Sequence, residues 1–379
     1  MRPPSKHLLL VGGGHAHVAV LADWIENGPP PGARATLLTP HPALRYSGMV
    51  PGWMVGEHER LRGIVDCAGL AGRAGVELVL ARASAIDPDA RVITTDAGER
   101  IGFDLASLDV GGTGHAAATL GEDPRLIEIR PIERFVERLA QWRAELLAAD
   151  PAPFVRAAVI GGGAGGVELA FAMRNLAGLE TRPEVTLVAG SAGLVPTMSR
   201  AVRRKVASEL ARQEIAVVAQ DARLGEGTLR AGKIALEPFD IVLAALGSAA
   251  PDWPGEGGLA TDPAGFIAVD AFQRSISHPH VFAVGDVAAR QDREVPHSGV
   301  HAVFAGPKLA ANLRAALADR AVSERYRPRF NSLYLLSTGN GAAIASYGPL
   351  AARGRWVAML KRWIDLRWID TYAGLAGSA

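Results

Sequence analysis

Two short runs carry residue types at a spacing that could do chemistry: Gly12 and Gly14 in LLLVGGGHAHVAVL (8–21), and Gly161, Gly163 and Gly166 in AAVIGGGAGGVELA (157–170). A Gly-x-Gly turn lets backbone come close to a pyrophosphate, and a helix that follows aims its unpaired N–H groups and positive dipole end at it. The chemistry expected is the holding of a dinucleotide, once per run. The second run completes G-x-G-x-x-G, whose third glycine lets helix and strand pack closely; in the first run His17 stands at that position. One run alone would say little, because tight turns use glycine for many reasons; two in the same setting say more.

Such loops need a strand and a helix to hold them. Each run is followed by a helix-forming segment and a second apolar strand, ARATLLTP (33–40) or EVTLVAGS (184–191), so each reads as β-α-β. RVITTDAGERIGFDLASLDVGGTG (91–114) then reads as a hairpin, turning at Ala97 and Gly98, plus a return strand. LRAGKIALEPFDIVLAALGSAAPDW (229–253) repeats that order of pieces in the second half. FIAVDAFQRSISHPHVFAVGDV (266–287) reads as one more strand, ending at Gly285 and Asp286, that returns to complete the first sheet; a helical stretch follows through Arg314. The tail reads as a hairpin (331–348) and an amphipathic helix (355–368).

With 379 residues, 49% of them hydrophobic, the chain has material for two or three domains. Its 40 Lys and Arg balance 39 Asp and Glu, which leaves no global field to recruit nucleic acid. The one cysteine, Cys67, excludes an intrachain disulfide, a cycling thiol pair and a thiolate-built zinc site; it reads as a small buried hydrophobe, and no metal is expected. The N-terminal apolar stretch is short for a secretory signal, and no stretch reaches the roughly 18 uninterrupted apolar residues of a membrane span. The expectation is a cytoplasmic protein, soluble or resting on the inner face of the cell membrane.

In this order along nearly the whole chain, VGGGHAHV, YSGMVPG, LDVGGTG, VIGGGAGGVELA and FAVGDVA resemble the flavin-dependent oxidoreductases with two dinucleotide-binding domains. Within them the likeness is to type II NADH:quinone oxidoreductases, nearest to a subgroup that also occurs fused to selenide,water dikinase. The resemblance implies an α/β fold of two Rossmann-like domains. An FAD domain (1–118 and 255–325) is interrupted by an NAD(P)H domain (119–254), and a small C-terminal α+β region (326–379) follows. It implies that Gly12, Gly14 and His15 hold the FAD pyrophosphate, with Thr39 and Gly112 among the cofactor contacts. Ser47 and Gly48, in the loop that also holds Gly52, would lie beside the flavin ring; Gly285 and Asp286 would meet the ribityl chain. A carboxylate at a strand end beside a helix start suits a polyol, and would equally serve as a plain helix cap. Gly161, Gly163 and Gly166 would hold NAD(P)H. Glu168 matches a glutamate that approaches flavin and quinone, and as a catalytic residue it could exchange protons with the acceptor; a first-turn glutamate favoured by the dipole is the plainer alternative.

Where that family begins a helix with glutamines, this chain has Val300 and Phe304, leaving His301, and beside it His297, as the polar or proton-donating groups. The acidic residue that usually grips a ribose about 20 residues past the glycines is absent: Thr39 stands there in the first unit, and Ala189, Gly190 and Ser191 in the second. Arg200, Arg203, Arg204 and Lys205 could meet a 2′-phosphate or form a solvated face, so NADH and NADPH both stay open. In the tail, Trp356, Met359, Leu360, Trp363 and Leu366 recur at helical spacing with Lys361, Arg362 and Asp365 opposite. That helix suits an anionic membrane interface, or packs on the body or on a partner in a homodimer.

The implied reaction passes hydride from NAD(P)H to FAD and then two electrons to a quinone-like acceptor. Two other readings remain: reduction of a small sulfur- or selenium-containing acceptor, and a slow flavin-based redox sensor or interaction protein.

Overall fold

The computed structural model describes residues 5–149, 154–225, 227–236, 238–329 and 331–377. Two five-stranded parallel sheets organise them. The first runs Val281–Ala283, Leu105–Leu108, Lys6–Val11, Ala33–Thr39, Glu77–Leu80; the second runs Leu126–Glu128, Ile241–Ala244, Arg156–Ile160, Glu184–Val188, Ala216–Val218. In both, the strand that feeds the glycines is central, with its β-α-β partner on one side and the return strand on the other. Parallel strands are covered on both faces, which is why these read as unbroken apolar runs: Leu8 to Val11 are at most 1% exposed, and Ala157 to Val159 are fully buried. The fold is thus α/β, two Rossmann-like units, and the second lies within the chain path of the first.

The segment 266–287 makes two strands rather than one. Ile267–Val269 pairs with Ala288–Arg290, and only Val281–Ala283 closes the first sheet. The break is a turn in which the Asp270 carboxylate accepts from the N–H groups of Phe272 (2.8 Å) and Arg274 (3.0 Å). The following helix, Gly299–Leu317, lies against the first glycine-run helix, His15–Asn27, and Gly306 permits the approach: a Cβ there would sit 2.8 Å from that of Ala19.

The tail also has one strand more than a hairpin. Leu333–Ser337, Ala343–Tyr347 and Leu350–Gly354 form an antiparallel meander, its second turn passing through Gly348 at φ +55°. Buried Glu209, on helix Arg200–Arg212, clamps this meander to the second unit through Arg353 (2.7 Å) and Asn340 (3.0 Å). Helix Arg355–Ala376 then crosses the loop 45–54 and helix Cys67–Ala74. Among the described residues no helix is long and apolar enough to cross a membrane.

Candidate functional site

The two glycine loops differ in what fills them. At Gly12 (φ +94°) a Cβ would fall onto the Asp109 carbonyl, so only glycine serves. At Gly14, which caps the helix, a Cβ would fall onto the Asp109 carboxylate instead. Asp109 Oδ2 accepts from the N–H groups of Ala16 (2.8 Å) and His17 (3.1 Å). Burial pushes this carboxyl up to about 7, against those two bonds, and the Asp286 carboxylate adds to the rise. His17 explains the missing third glycine. Burial lowers its pKa to about 4, so Nδ1–H donates to the Gly12 carbonyl (2.6 Å) and Nε2 accepts from the Ser107 hydroxyl (2.8 Å), tying helix to strand by bonds rather than by close contact.

The second loop keeps its glycines for close packing and leaves its mouth open. A Cβ at Gly161 (φ +126°) would hit the Ala245 carbonyl, and one at Gly166 would hit the Gly161 carbonyl. Gly163, at the helix N-cap, faces open space.

Around the first loop, Thr39 ends its strand with Oγ1 3.2 Å from where a Gly13 Cβ would be. Gly285 (φ +70°) turns the chain so that Asp286 pairs with Arg130 (2.9 Å), and Arg45 pairs with Glu133 (3.0 Å). Gly112 follows Asp109 and Val110, which lie against Gly12, at the point where the two units' connections cross: Thr113 and Ala249 exchange backbone bonds of 2.8 and 3.1 Å, and a Gly112 Cβ would strike the Ser248 side chain.

Ser47 and Gly48 form a short 3-10 turn held by the C-terminal helix. Lys361 Nζ donates to the Gly48 carbonyl (3.1 Å) and to Asp365 (2.9 Å). Glu168 accepts from the Ser337 N–H (2.8 Å); burial pushes its carboxyl up, against the pull of the Lys361 charge and that N–H. Burial works against the Lys361 charge, yet Glu168 and Asp365 push its pKa up. Burial and a hydrogen bond with Asp365 raise Tyr46, whose ring stacks on Trp368 (5.0 Å). Trp368 also lies 5.3 Å from His15, which burial lowers to about 4. The tail helix packs on the body through its polar side, Lys361 and Asp365 pointing inward, and leaves Trp356 (58% exposed), Met359 (72%) and Trp363 (57%) of the apolar stripe facing out. The reason is the polar lining it meets, Glu168, Tyr46 and the Gly48 carbonyl.

Ser47, Gly48 and Glu168 thus come together, and His297 and His301 do not join them. His301 Nδ1 bonds Tyr326 Oη (2.7 Å) in a solvent-open pocket that adjoins the first loop at Gly285 and that Gln273 and Ser298 also line. His297 sets its ring at a tilt 4.0 Å from that of Phe266 and bonds the Ala288 carbonyl. Phe304 is half exposed. Cys67 is buried and its thiol pushed up to about 12, as a structural cysteine should be. Beyond the second loop, Asp221 accepts from the Ser191 N–H (2.9 Å) and abuts Gly190, bringing a carboxylate from the turn after strand Ala216–Val218 to the position that lacked one. Arg203 is engaged by the carbonyls of Met198 and Pro196, while Arg200 and Arg204 are exposed.

Sequence reading missed Asp109, Arg130, Asp221, Lys361 and Trp368 as site residues. Asp109 lies inside LDVGGTG, where the glycines carry the pattern; Arg130 and Asp221 are single residues with no periodic signal, and Lys361 and Trp368 belong to the tail helix, whose spacing does not name what it packs against.

The family described as pyridine nucleotide-disulphide oxidoreductase matches residues 6–306. A sulfide-quinone reductase of Aquifex aeolicus (strain VF5) is 26% identical over 157 residues, 41% of this chain and 35% of that protein, so the aligned stretch spans about a third of the relative. The solved sulfide:quinone oxidoreductase of Aquifex aeolicus superposes with a TM-score of 0.76 at 19% identity, covering 98% of this chain and 92% of that one. NDH2 of Plasmodium falciparum in complex with NADH superposes with a TM-score of 0.80 at 12% identity, covering 97% of each chain. At these identities the likeness is one of fold.

Proposed function

Since this chain belongs to the pyridine nucleotide-disulphide oxidoreductase family, we propose that it is an FAD enzyme that oxidises NAD(P)H and reduces a quinone-like acceptor. Residues 1–118 and 255–325 then form the FAD domain, 119–254 the NAD(P)H domain, and 326–379 a cap over the flavin side. The observation that carries this reading is the doubled sheet with a glycine loop at each centre, one beside the Asp286–Arg130 pair and one open at Gly163.

The residues fit FAD. Glycine is enforced at Gly12, and among the described residues the N–H groups of Gly14 and His15 have no protein acceptor. Arg130 supplies a cation beside Asp286, the residue assigned to the ribityl hydroxyls. When bound, FAD supplies the hydride acceptance and two-electron delivery. The chain supplies the rest. Gly161, Gly163 and Gly166 hold the nicotinamide dinucleotide's pyrophosphate at a helix N-terminus. Ser47 and Gly48 present backbone to the ring, fixed in place by Lys361. Glu168, with its raised pKa, holds a proton for the acceptor and returns to charge beside Lys361. Trp368, Tyr46 and His15 exclude water from this end of the cleft.

Asp221 favours NADH, since a carboxylate accepts from a ribose 2′-hydroxyl and repels a 2′-phosphate. The outward Trp356, Met359 and Trp363 favour a lipid-dissolved acceptor and a peripheral seat on the inner face of the cell membrane. Co-sedimentation with anionic vesicles, lost in Trp356→Ser/Trp363→Ser, tests that seat; a concentration-dependent dimer in its place assigns the face to a second copy. A thiol relay to a sulfur acceptor is disfavoured because Cys67 is the chain's one cysteine and is buried.

The deciding experiment is an anaerobic visible spectrum of the purified protein before and after NADH or NADPH, followed by a water-soluble quinone. Bleaching of a flavin band by nucleotide and its return with quinone is the expected result. Bleaching without return points to the sulfur or selenium acceptor, and no bleaching to a sensor.

A further inference from the structure

Asp109 occupies the cofactor cradle as no plain turn residue would. It lies beneath Gly12 and Gly14, and a Cβ at Gly285 would come within 2.8 Å of its Oδ1. Its Oδ2 takes the N–H groups of Ala16 and His17, so it shares one helix terminus with whatever anion binds there. The other titratable groups around it offer no countercharge. Asp286 on the Gly285 side is an anion already matched to Arg130, and Cys67 from the neighbouring helix is a neutral thiol. His15 and His17 on the glycine-run helix are neutral imidazoles, and Ala302, from helix Gly299–Leu317, is apolar.

We propose that Asp109 is a cofactor-positioning residue that takes up one proton from solvent as FAD binds, so that flavin affinity is tied to the protonation of this buried carboxyl. The proposal rests on the FAD reading. A pyrophosphate brings two further negative charges to a turn that already holds Asp109 and Asp286, with Arg130 as the paired cation. Placing a proton on Asp109 Oδ1, the oxygen not bonded to the helix, relieves that crowding and keeps both N–H bonds to Oδ2. Before cofactor binds, this carboxyl titrates at about 7. An added anion raises that value, so the complex holds the proton at pH where the free protein has lost it. Affinity therefore weakens as pH rises above about 7, by at most about tenfold per unit for one proton.

The test is FAD titration of the full-length, flavin-stripped protein from pH 6 to 9 by quenching of flavin fluorescence, with calorimetry in two buffers of different ionisation enthalpy to count protons. The wild type should lose affinity towards tenfold per unit above about pH 7 and take up close to one proton at pH 8. Asp109→Asn, which keeps an oxygen for the helix, should bind with little pH dependence, take up no proton, and bind tighter than wild type at pH 8. If Asp109→Asn does not fold, Asp109→Ala serves the same comparison. A flat wild-type profile, or a variant with the wild-type slope, overturns the proposal while leaving FAD binding intact. Failure of the wild type to bind FAD at any pH overturns the FAD reading and the proposal with it.

Discussion

One strand–glycine–helix unit is built twice here, and the two copies use their glycines differently. In the second, Gly161 and Gly166 let backbone touch backbone and Gly163 is left facing an open mouth. In the first, the helix is held by a histidine bonded to Gly12 and Ser107, and the space beneath the turn is filled by the Asp109 carboxylate. The second loop is rigid through close contact and has no acid beneath its glycines. The first is rigid through polar bonds and carries an acid of its own, so its grip on an anion must answer to pH. A glycine motif thus states that a pyrophosphate can approach; the residues behind it state on what terms.

The largest effects should come from filling each turn in a way that separates the two sites. Gly12→Val forces a side chain onto the Asp109 backbone at positive φ and should leave the protein without flavin, read as loss of the visible spectrum. Gly166→Val pushes against the Gly161 carbonyl and should keep the flavin but slow its bleaching by nucleotide at least about a hundredfold. A Gly166→Val protein that bleaches normally would remove the second loop from the hydride path.

Next in size is the carboxylate behind the second loop. Glu168→Gln should leave nucleotide bleaching unchanged and lower acceptor turnover about a hundredfold, in the range of a lost general acid. The sign of the pH dependence follows from burial. The Glu168 pKa is raised, so the proton it holds at low pH is lost as pH climbs through that raised value. Wild-type acceptor turnover should fall over that window, and the Gln variant should show no such fall. Lys361→Met removes the cation opposing the rise and should shift the fall to higher pH; it also strands buried Asp365, a loss of about 3 kcal/mol in denaturant unfolding.

How much of this was legible in the sequence follows range. Most strands of the two sheets could be read because they are apolar runs beside turn residues, and the glycine loops because each is a local pattern; Glu77–Leu80, Leu126–Glu128 and Ala216–Val218, three or four residues each, were too short to read. The extra strand Leu350–Gly354 was missed because its burial comes from Glu209 and the tail helix rather than from alternation of its own. Asp109 meets a helix 93 positions away, and Lys361 meets Gly48 across 313, so nothing near either residue announces its partner. Amphipathic spacing in the tail helix names two faces and only the packing partner decides which turns inward: Lys361 and Asp365 do, while Trp356, Met359 and Trp363 stay out.

A smaller effect should come from Asp221. Asp221→Ala should narrow a preference for NADH over NADPH by about tenfold, the worth of one hydrogen bond to a charged group, read as the ratio of bleaching rates with the two nucleotides. An unchanged ratio would make Asp221 only a brace for the Ser191 turn.

The smallest effect tests the contrast most directly, because it uses one substitution at equivalent places. Gly14 and Gly163 both cap their helices in extended backbone, at φ −76° and −68°, so alanine strains neither. What differs is space. A Cβ added at Gly163 would meet nothing within 4 Å, so Gly163→Ala should stabilise the nucleotide-free protein by about 0.5 kcal/mol through the entropy of the unfolded chain, while its methyl group narrows the nucleotide's mouth. Gly14→Ala drives the same methyl into the Asp109 carboxylate, which has nowhere to go without releasing Ala16 and His17, and should destabilise instead. Opposite signs in two denaturation curves would establish that the first cradle is already filled by the protein's own acid and the second is not. The Gly14→Ala loss should then shrink in an Asp109→Ala background, since the group it collides with is gone.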